Sequence, residues 1–316
     1  MALLLPGQGS QHTRMAAGLY RHEAAFTEAM DAVFDALGPD GAQVRADWLS
    51  ERPRVSIDHV TRSQMLLFAI DHAMGAQLRS WGVRPAALLG HSAGEMAAAV
   101  LAGAFDLTSA SRVVWEMVNR IAEAPPGGML AVAATAEDVA GYLAGDVVVG
   151  AVNAPRQIIL AGPVEPLAKV GEALRADGFT CRTVPATTGF HSPMLDELSG
   201  AATTLFARLR VGTPYTTVYS GYLAKRVTGD DMADPALWAH YPASPVLFWP
   251  ALDALLADGP YRLVEAGPGQ RLASVARRHP AVTRGTSHVF AALPARPRGG
   301  QADRESLREL AELLVD

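Results

Sequence analysis

The feature that most restricts this chain is Gly90-His91-Ser92-Ala93-Gly94, a G-x-S-x-G pattern between an apolar run and a helical one. Ala86-Ala87-Leu88-Leu89 reads as a short strand ending at Gly90, and a helix is expected from about Ala93 through Leu101. A serine at such a strand-to-helix turn sits in a sharp bend, and the flanking glycines remove side chains that would clash. Its hydroxyl then stands at a helix N-terminus, where free N–H groups and the helix dipole favour an alkoxide or a tetrahedral oxyanion. A plain glycine-rich turn with an incidental serine is the alternative, but the required elements are present on both sides, which favours a nucleophile.

Other segments place this elbow in an α/β chain. Ala2 to Leu5 reads as a buried first strand, because MALLLPGQGS has no basic residue before its apolar start and breaks at once at Pro6-Gly7. Ser63 to Trp81 suits a core helix through Met65, Leu66, Phe68, Ala69, Ala73 and Met74. After Pro125-Pro126-Gly127-Gly128 comes a compact alternation. It runs strand Met129 to Ala134, helix Glu137 to Ala144, strand Val147 to Val152, strand Gln157 to Ala161, helix Glu165 to Ala176 and strand Thr180 to Pro185. That β-α-β-β-α-β order is the split, ferredoxin-like unit. Larger strand-helix sequence then resumes, ending in Tyr261 to Glu265. The expected fold is a large α/β-hydrolase-like domain with a parallel sheet and nucleophile elbow, residues 1–126 and 191–316, interrupted by a small ferredoxin-like domain, 127–190. Arg296 to Arg304 reads as a surface loop before a short helix, Glu305 to Val315.

A serine nucleophile needs a base, and there are nine histidines. His91 is next to Ser92 and is expected to point away from it, in a structural role. His191, in Thr187-Thr188-Gly189-Phe190-His191-Ser192-Pro193, lies where the inserted unit rejoins the large one, a place that can aim a side chain across a cleft. Alone it would read as a packed or capping residue; beside Ser92 it is the preferred base. Pro6-Gly7-Gln8-Gly9-Ser10-Gln11 reads either as a strand-ending turn or as a loop offering a backbone N–H to an oxyanion.

Together PGQGSQ, GHSAGE, GFHS and Glu265-Ala266-Gly267-Pro268-Gly269 resemble, in order, the malonyl-CoA:acyl-carrier-protein transacylases and the acyltransferase domains of polyketide synthases. The resemblance covers nearly the whole chain. It implies Ser92 as nucleophile, His191 as general base and acid, and the N–H groups of Gln8 and Ala93 as an oxyanion hole. It also implies a histidine oriented by a backbone carbonyl, that of Tyr241, four residues before Pro245-Val246. Gln64 and Asn153 match polar residues near the family's active site, and Glu95 is expected to support the elbow.

One position departs from the pattern. Family members that use malonyl groups carry an arginine 25 residues after the serine, whose guanidinium pairs with the free carboxylate. Here that position is Met117, and Val118 follows. Arg120 lies about 60° round and about 4.5 Å along such a helix, which suits a solvent or helix-end role, and Arg112 falls about 140° away. A thioether lining suits an apolar or bulky acyl chain, since an unpaired malonyl carboxylate would be costly to bury. Gly189 beside Phe190 is expected to widen the pocket. The expectation is therefore a trans-acting, free-standing acyltransferase of polyketide biosynthesis moving a non-dicarboxylic group, such as an aminoacyl or dipeptidyl group, between acyl carrier proteins. An ordinary malonyl transacylase, with Met117 merely in the core, and an acyl-thioester hydrolase are the alternatives.

Composition excludes other classes. A net charge of −5 with no basic excess argues against nucleic acid. The lone Cys181 leaves no cysteine-based metal cluster, and no bound cofactor or metal is expected beyond phosphopantetheine or coenzyme A as the acyl carrier. No apolar run reaches membrane-spanning length, so a cytoplasmic monomer is the default reading. Acidic carrier proteins would dock on arginines, and Arg156, Arg296 and Arg298 lie in candidate loops.

Overall fold

The computed structural model describes residues 1–315. In chain order the first elements are β1 (Ala2–Leu5), α1 (Ala24–Leu37), α2 (Pro39–Leu49), α3 (Val60–Ser80), β2 (Ala87–Gly90), α4 (Gly94–Leu101) and α5 (Leu107–Ala122). Next come β3 (Gly127–Val132), α6 (Ala136–Val139), β4 (Val148–Ala154), β5 (Gln157–Pro163), α7 (Val164–Ala176), β6 (Cys181–Val184) and α8 (Asp196–Phe206). The remainder is β7 (Thr217–Ser220), β8 (Lys225–Arg226), α9 (Gly229–Ala233), α10 (Pro235–His240), α11 (Phe248–Ala257), β9 (Arg262–Glu265), α12 (Arg271–Ala276), α13 (Pro280–Thr283), β10 (His288–Ala291) and α14 (Gly300–Val315).

One sheet has six strands in the order β10-β9-β1-β2-β7-β8. Its first five are mutually parallel, and only β8 runs back against β7. β1 and β2 are buried at every position, which is why both read as unbroken apolar runs with no alternation: helices cover both faces. Parallel strands all end on the same edge, so the turns after β1, β2, β7 and β9 converge there, the usual place for a ligand crevice in an open α/β sheet.

The second sheet has four strands, ordered β4-β5-β3-β6 with every neighbouring pair antiparallel. α7 packs on it through Leu167, Val170 and Leu174, spaced three and four apart as one helix face requires. Its entry and exit adjoin, because Gly127 N–H donates to Thr187 O at 3.0 Å. β4 is stitched to the larger body by Val152 N–H to Val246 O, 2.8 Å, and Val246 N–H to Gly150 O, 2.9 Å.

Two local expectations change. The helix expected from Glu137 to Ala144 stops at Val139 and tightens into a 3-10 turn, Ala140–Tyr142; Gly141 weakens it and Gly145, at φ +60°, turns the chain away. The loop expected to reach Arg304 ends sooner, at a turn whose Gly299 has φ +82°, and α14 begins at Gly300. That early start is fixed by Asp303, whose carboxylate accepts from Gly18 N–H at 3.2 Å.

Candidate active site

Ser92 follows β2 and has φ +53°, a left-handed conformation that a non-glycine residue adopts only when its surroundings impose it. The glycines explain how the bend is packed. A Cβ on Gly90 would collide with the backbone of Gly94 and Glu95, and one on Gly94 with Leu5 O. α4 starts immediately after and is buried along its full length.

Ser92 Oγ lies 3.0 Å from His191 Nε2. His191 Nδ1 is 2.9 Å from Ser244 O. A carbonyl can only accept, so Nδ1 carries the proton and Nε2 presents its lone pair to the serine hydroxyl. Burial, with the nearby His91 second, pulls the His191 pKa down to about 4 against the opposing pull of the carbonyls, so the ring is neutral at ordinary pH. His191 is also left-handed, at φ +64°, and its N–H is tied to Pro242 O at 2.7 Å. The carbonyl at hydrogen-bond distance from Nδ1 is that of Ser244; the Tyr241 carbonyl, expected in this role, acts on the ring as the weaker of the two. The Tyr241 carbonyl is turned into the end of α10, where it accepts from Ser244 N–H at 3.1 Å.

The loop after β1 lies directly against the elbow. A Cβ on Gly7 would strike His91 O and sit 3.0 Å from Ser92 Cβ. Within the loop Gly9 N–H donates to Gln11 Oε1 at 2.5 Å, and Ser10 N–H to Gly7 O at 3.3 Å. Gln11 Nε2–H in turn donates to Asp58 at 3.1 Å, which fixes which end of the Gln11 amide faces Gly9. Gln64 Nε2–H reaches Gln8 Oε1 at 3.2 Å from α3. Among the described residues the backbone N–H groups of Gln8 and Ala93 have no protein acceptor, so both remain available to a ligand oxygen.

Two cavities meet at this pair. The inner one, about 100 Å³, lies between α3, α5, α8 and α10, and its lining includes Gln64, Met117, Phe190, Tyr222, Trp238 and Tyr241. Among the described residues neither arginine nor lysine lines it. Its one carboxylic acid, Glu95, is pushed up to about 8 by burial, the N–H of Gly221 that binds it opposing the shift. Tyr222 stacks on Tyr241 with ring centroids 4.0 Å apart and meets the His191 ring at 5.7 Å. Arg120 points elsewhere, donating to Ala201 O at 3.3 Å, and Arg112 donates to Ala36 O at 3.0 Å.

The outer cavity, about 560 Å³, is lined by the oxyanion-side loop, β4 to β6 and α12. It carries Arg182, Arg271, Arg278 and Arg296 and, among the described residues, no acid. Partial burial, with the charge of Arg182 second, pulls the Arg271 pKa down.

Of the residues singled out from sequence, Ser92, Ala93, Gln64, Met117, Phe190 and Tyr241 line the inner cavity, and Gln8, Asn153 and Arg296 line the outer one. Asn153 holds His91, whose Nε2 is 2.8 Å from its Oδ1; His91 thus turns from Ser92, as expected. Gly189 lines neither cavity and does not widen the pocket: it is wedged where a Cβ would stand 2.8 Å from Met194 Sδ and 3.0 Å from Gly162 O. Arg156 pairs with Asp138 at 3.3 Å and Arg298 faces a neighbouring groove, so neither rims the cleft. Sequence reasoning missed Tyr222 and Trp238, which carried no motif, and Arg271, which stands two residues beyond Glu265-Ala266-Gly267-Pro268-Gly269 and could have been found there.

Comparison with known proteins agrees with this geometry. The family model described as the acyl transferase domain matches residues 3–294. A phenolphthiocerol/phthiocerol polyketide synthase from Mycobacterium tuberculosis is 34% identical over 315 residues, 99% of this chain and 21% of that protein. The chain thus spans about a fifth of that relative's length. The acyltransferase domain from the second module of the salinomycin polyketide synthase superposes with TM-score 0.89 at 30% identity, covering 99% of this chain and 73% of that one. A loading acyltransferase from the avermectin modular polyketide synthase gives TM-score 0.88 at 26% identity, covering 100% and 99%.

Proposed function

The chain belongs to the acyl transferase domain family, and from that membership we propose that it moves a non-dicarboxylic acyl group between carrier thiols through an ester on Ser92. The observation that carries the proposal is the 3.0 Å contact between Ser92 Oγ and a neutral His191 at the meeting point of an uncharged pocket and an arginine-lined cleft.

The first half-reaction forms a bond from Ser92 Oγ to the thioester carbonyl carbon. His191 Nε2 takes the serine proton, the N–H groups of Gln8 and Ala93 receive the oxyanion, and the C–S bond breaks as His191 returns the proton to the departing thiol. The second half-reaction is the reverse with another thiol, a ping-pong cycle. Each oxyanion donor is worth about 3 kcal/mol of barrier. The acceptor arm would be phosphopantetheine on an acyl carrier protein, or coenzyme A. Arg182, Arg271, Arg278 and Arg296 supply the cations its phosphate and an acidic carrier need, in place of Arg156 and Arg298.

The absence of any cation from the inner cavity, among the described residues, supports a non-dicarboxylic group over malonyl. Family resemblance brings forward aminoacyl and dipeptidyl groups as members of that class. The trans-acting role is proposed from the same resemblance, and a cytoplasmic monomer is proposed as the default reading. We read residues 127–190 as a ferredoxin-like insert in a hydrolase-like domain, supported by the all-antiparallel β4-β5-β3-β6 order and the Gly127 to Thr187 closure.

Incubation with acyl donors followed by intact-mass measurement tests the proposal. A covalent acyl adduct on the native chain, absent from Ser92→Ala and discharged by a pantetheine thiol faster than by water, is the expected result. Discharge by water at the same rate would instead make it a hydrolase.

A further inference from the structure

The inner cavity is about 100 Å³, less than a fifth of the outer cleft's 560 Å³. We infer that the group carried on Ser92 is a compact, uncharged, apolar acyl chain with roughly four carbons beyond the carbonyl, an inference that rests on the acyl-serine reading above. A dry cavity of about 150 Å³ holds a six-carbon ring, so 100 Å³ holds about four carbons at the same density.

The walls agree with the volume. Phe68 from α3, Met117 and Ile121 from α5, Phe206 from α8 and Trp238 from α10 give the cavity mostly apolar walls, beside Gln64, Glu95, Tyr222 and Tyr241. A carboxylate on the acyl group would meet no cation. An ammonium would meet one carboxylic acid, Glu95, which burial holds largely neutral near pH 7. A dialanyl group, with about eight non-hydrogen atoms beyond its thioester carbonyl, would need about twice the space and would set its amide against a mostly apolar wall. Gln64, the one amide on the wall, is already engaged with Gln8. The dipeptidyl class therefore falls away, and a short apolar monoacyl chain remains.

The experiment is a competition among N-acetylcysteamine thioesters bearing acetyl, butyryl, 2-methylbutyryl, decanoyl, malonyl, alanyl and dialanyl groups, with the Ser92 adducts quantified by mass. Butyryl and 2-methylbutyryl are expected to label fastest, acetyl roughly tenfold slower, and decanoyl, malonyl and dialanyl roughly a hundredfold slower. Fastest labelling by malonyl, decanoyl or dialanyl overturns the inference. Met117→Ala, which deepens the cavity, moves the optimum to a longer chain; an unmoved optimum means the cavity does not seat the acyl group and also overturns it. A fluorophosphonate reagent separates the two levels of failure. If it labels Ser92 while no short acyl thioester does, the substrate class is wrong and the nucleophile stands; if neither labels, both fall.

Discussion

The inner pocket and the outer cleft share Ser92 and His191, yet they are opposite environments. Among the described residues the pocket is small, aromatic and without arginine or lysine; the cleft is several times larger and lined by four arginines without an acid. Charges in a wet cleft are screened and cost little to hold, whereas a charge in an apolar pocket is expensive unless paired. Under the proposed function the contrast is a division of labour, with the cleft assigned to what all carriers share, an anionic arm, and the pocket to what distinguishes one acyl group from another.

The comparison breaks most completely at the shared residue. Ser92→Ala should abolish transfer of every acyl group, by about 10⁴-fold or more in single-turnover assays, with the cleft still binding carrier. Putting the cleft's chemistry into the pocket comes next. Met117→Arg should raise malonyl labelling roughly a hundredfold relative to butyryl, while lowering stability in the absence of a carboxylate by about 3 kcal/mol in denaturant titration. Taking chemistry out of the cleft is milder: Arg182→Ala with Arg271→Ala should slow transfer from coenzyme A or carrier thioesters roughly tenfold. The double variant should not affect N-acetylcysteamine thioesters, and salt at about 0.5 M should erase the difference.

Smaller effects probe the boundary. Gln11→Met should lower turnover about fivefold for all donors alike, because the Gly9 N–H loses its acceptor and the loop carrying Gln8 loosens. The exchange Gln11→Glu with Asp58→Asn keeps an acceptor facing Gly9 and a donor facing the new carboxylate, so it should restore most of the rate. The smallest expected effect is with pH. His191 works as a base only when neutral, and with its pKa near 4 acylation should be flat from about pH 8 to 5, then fall through pH 4. A histidine at its ordinary value would be half-protonated already at about pH 6.5 and almost fully protonated at about pH 4, so acylation would fall through about 6.5 instead. By linkage, unfolded His191 binds a proton over this window and the folded one does not. Its contribution to stability is intact above about 6.5 and lost as pH falls toward 4, measurable by urea titration.

Much of this arrangement was legible because it is encoded over short spans. Strand, Gly90-His91-Ser92-Ala93-Gly94 and helix are contiguous, and His191 stands beside a conspicuous junction. Met117 could be counted from Ser92 as a pocket position, and it lines the inner cavity with Val114, Val118 and Ile121. What could not be read depends on tertiary placement. That Ser244 stands nearer His191 than Tyr241 depends on the turn that follows α10, and the wedge at Gly189 on how closely β5 approaches. The cleft arginines arrive from β6, α12 and the chain after β10, and only folding assembles them into one wall.

The paired left-handed backbones at Ser92 and His191, 99 residues apart, have a consequence for the protein's durability. The chemistry is housed at the two least comfortable points of the cavity wall, so the fold gives up endurance to hold it. Of two inert versions, Ser92→Gly should therefore outlast Ser92→Ala on heating by roughly 1 kcal/mol, since both lose the hydroxyl but only glycine is at ease in that bend.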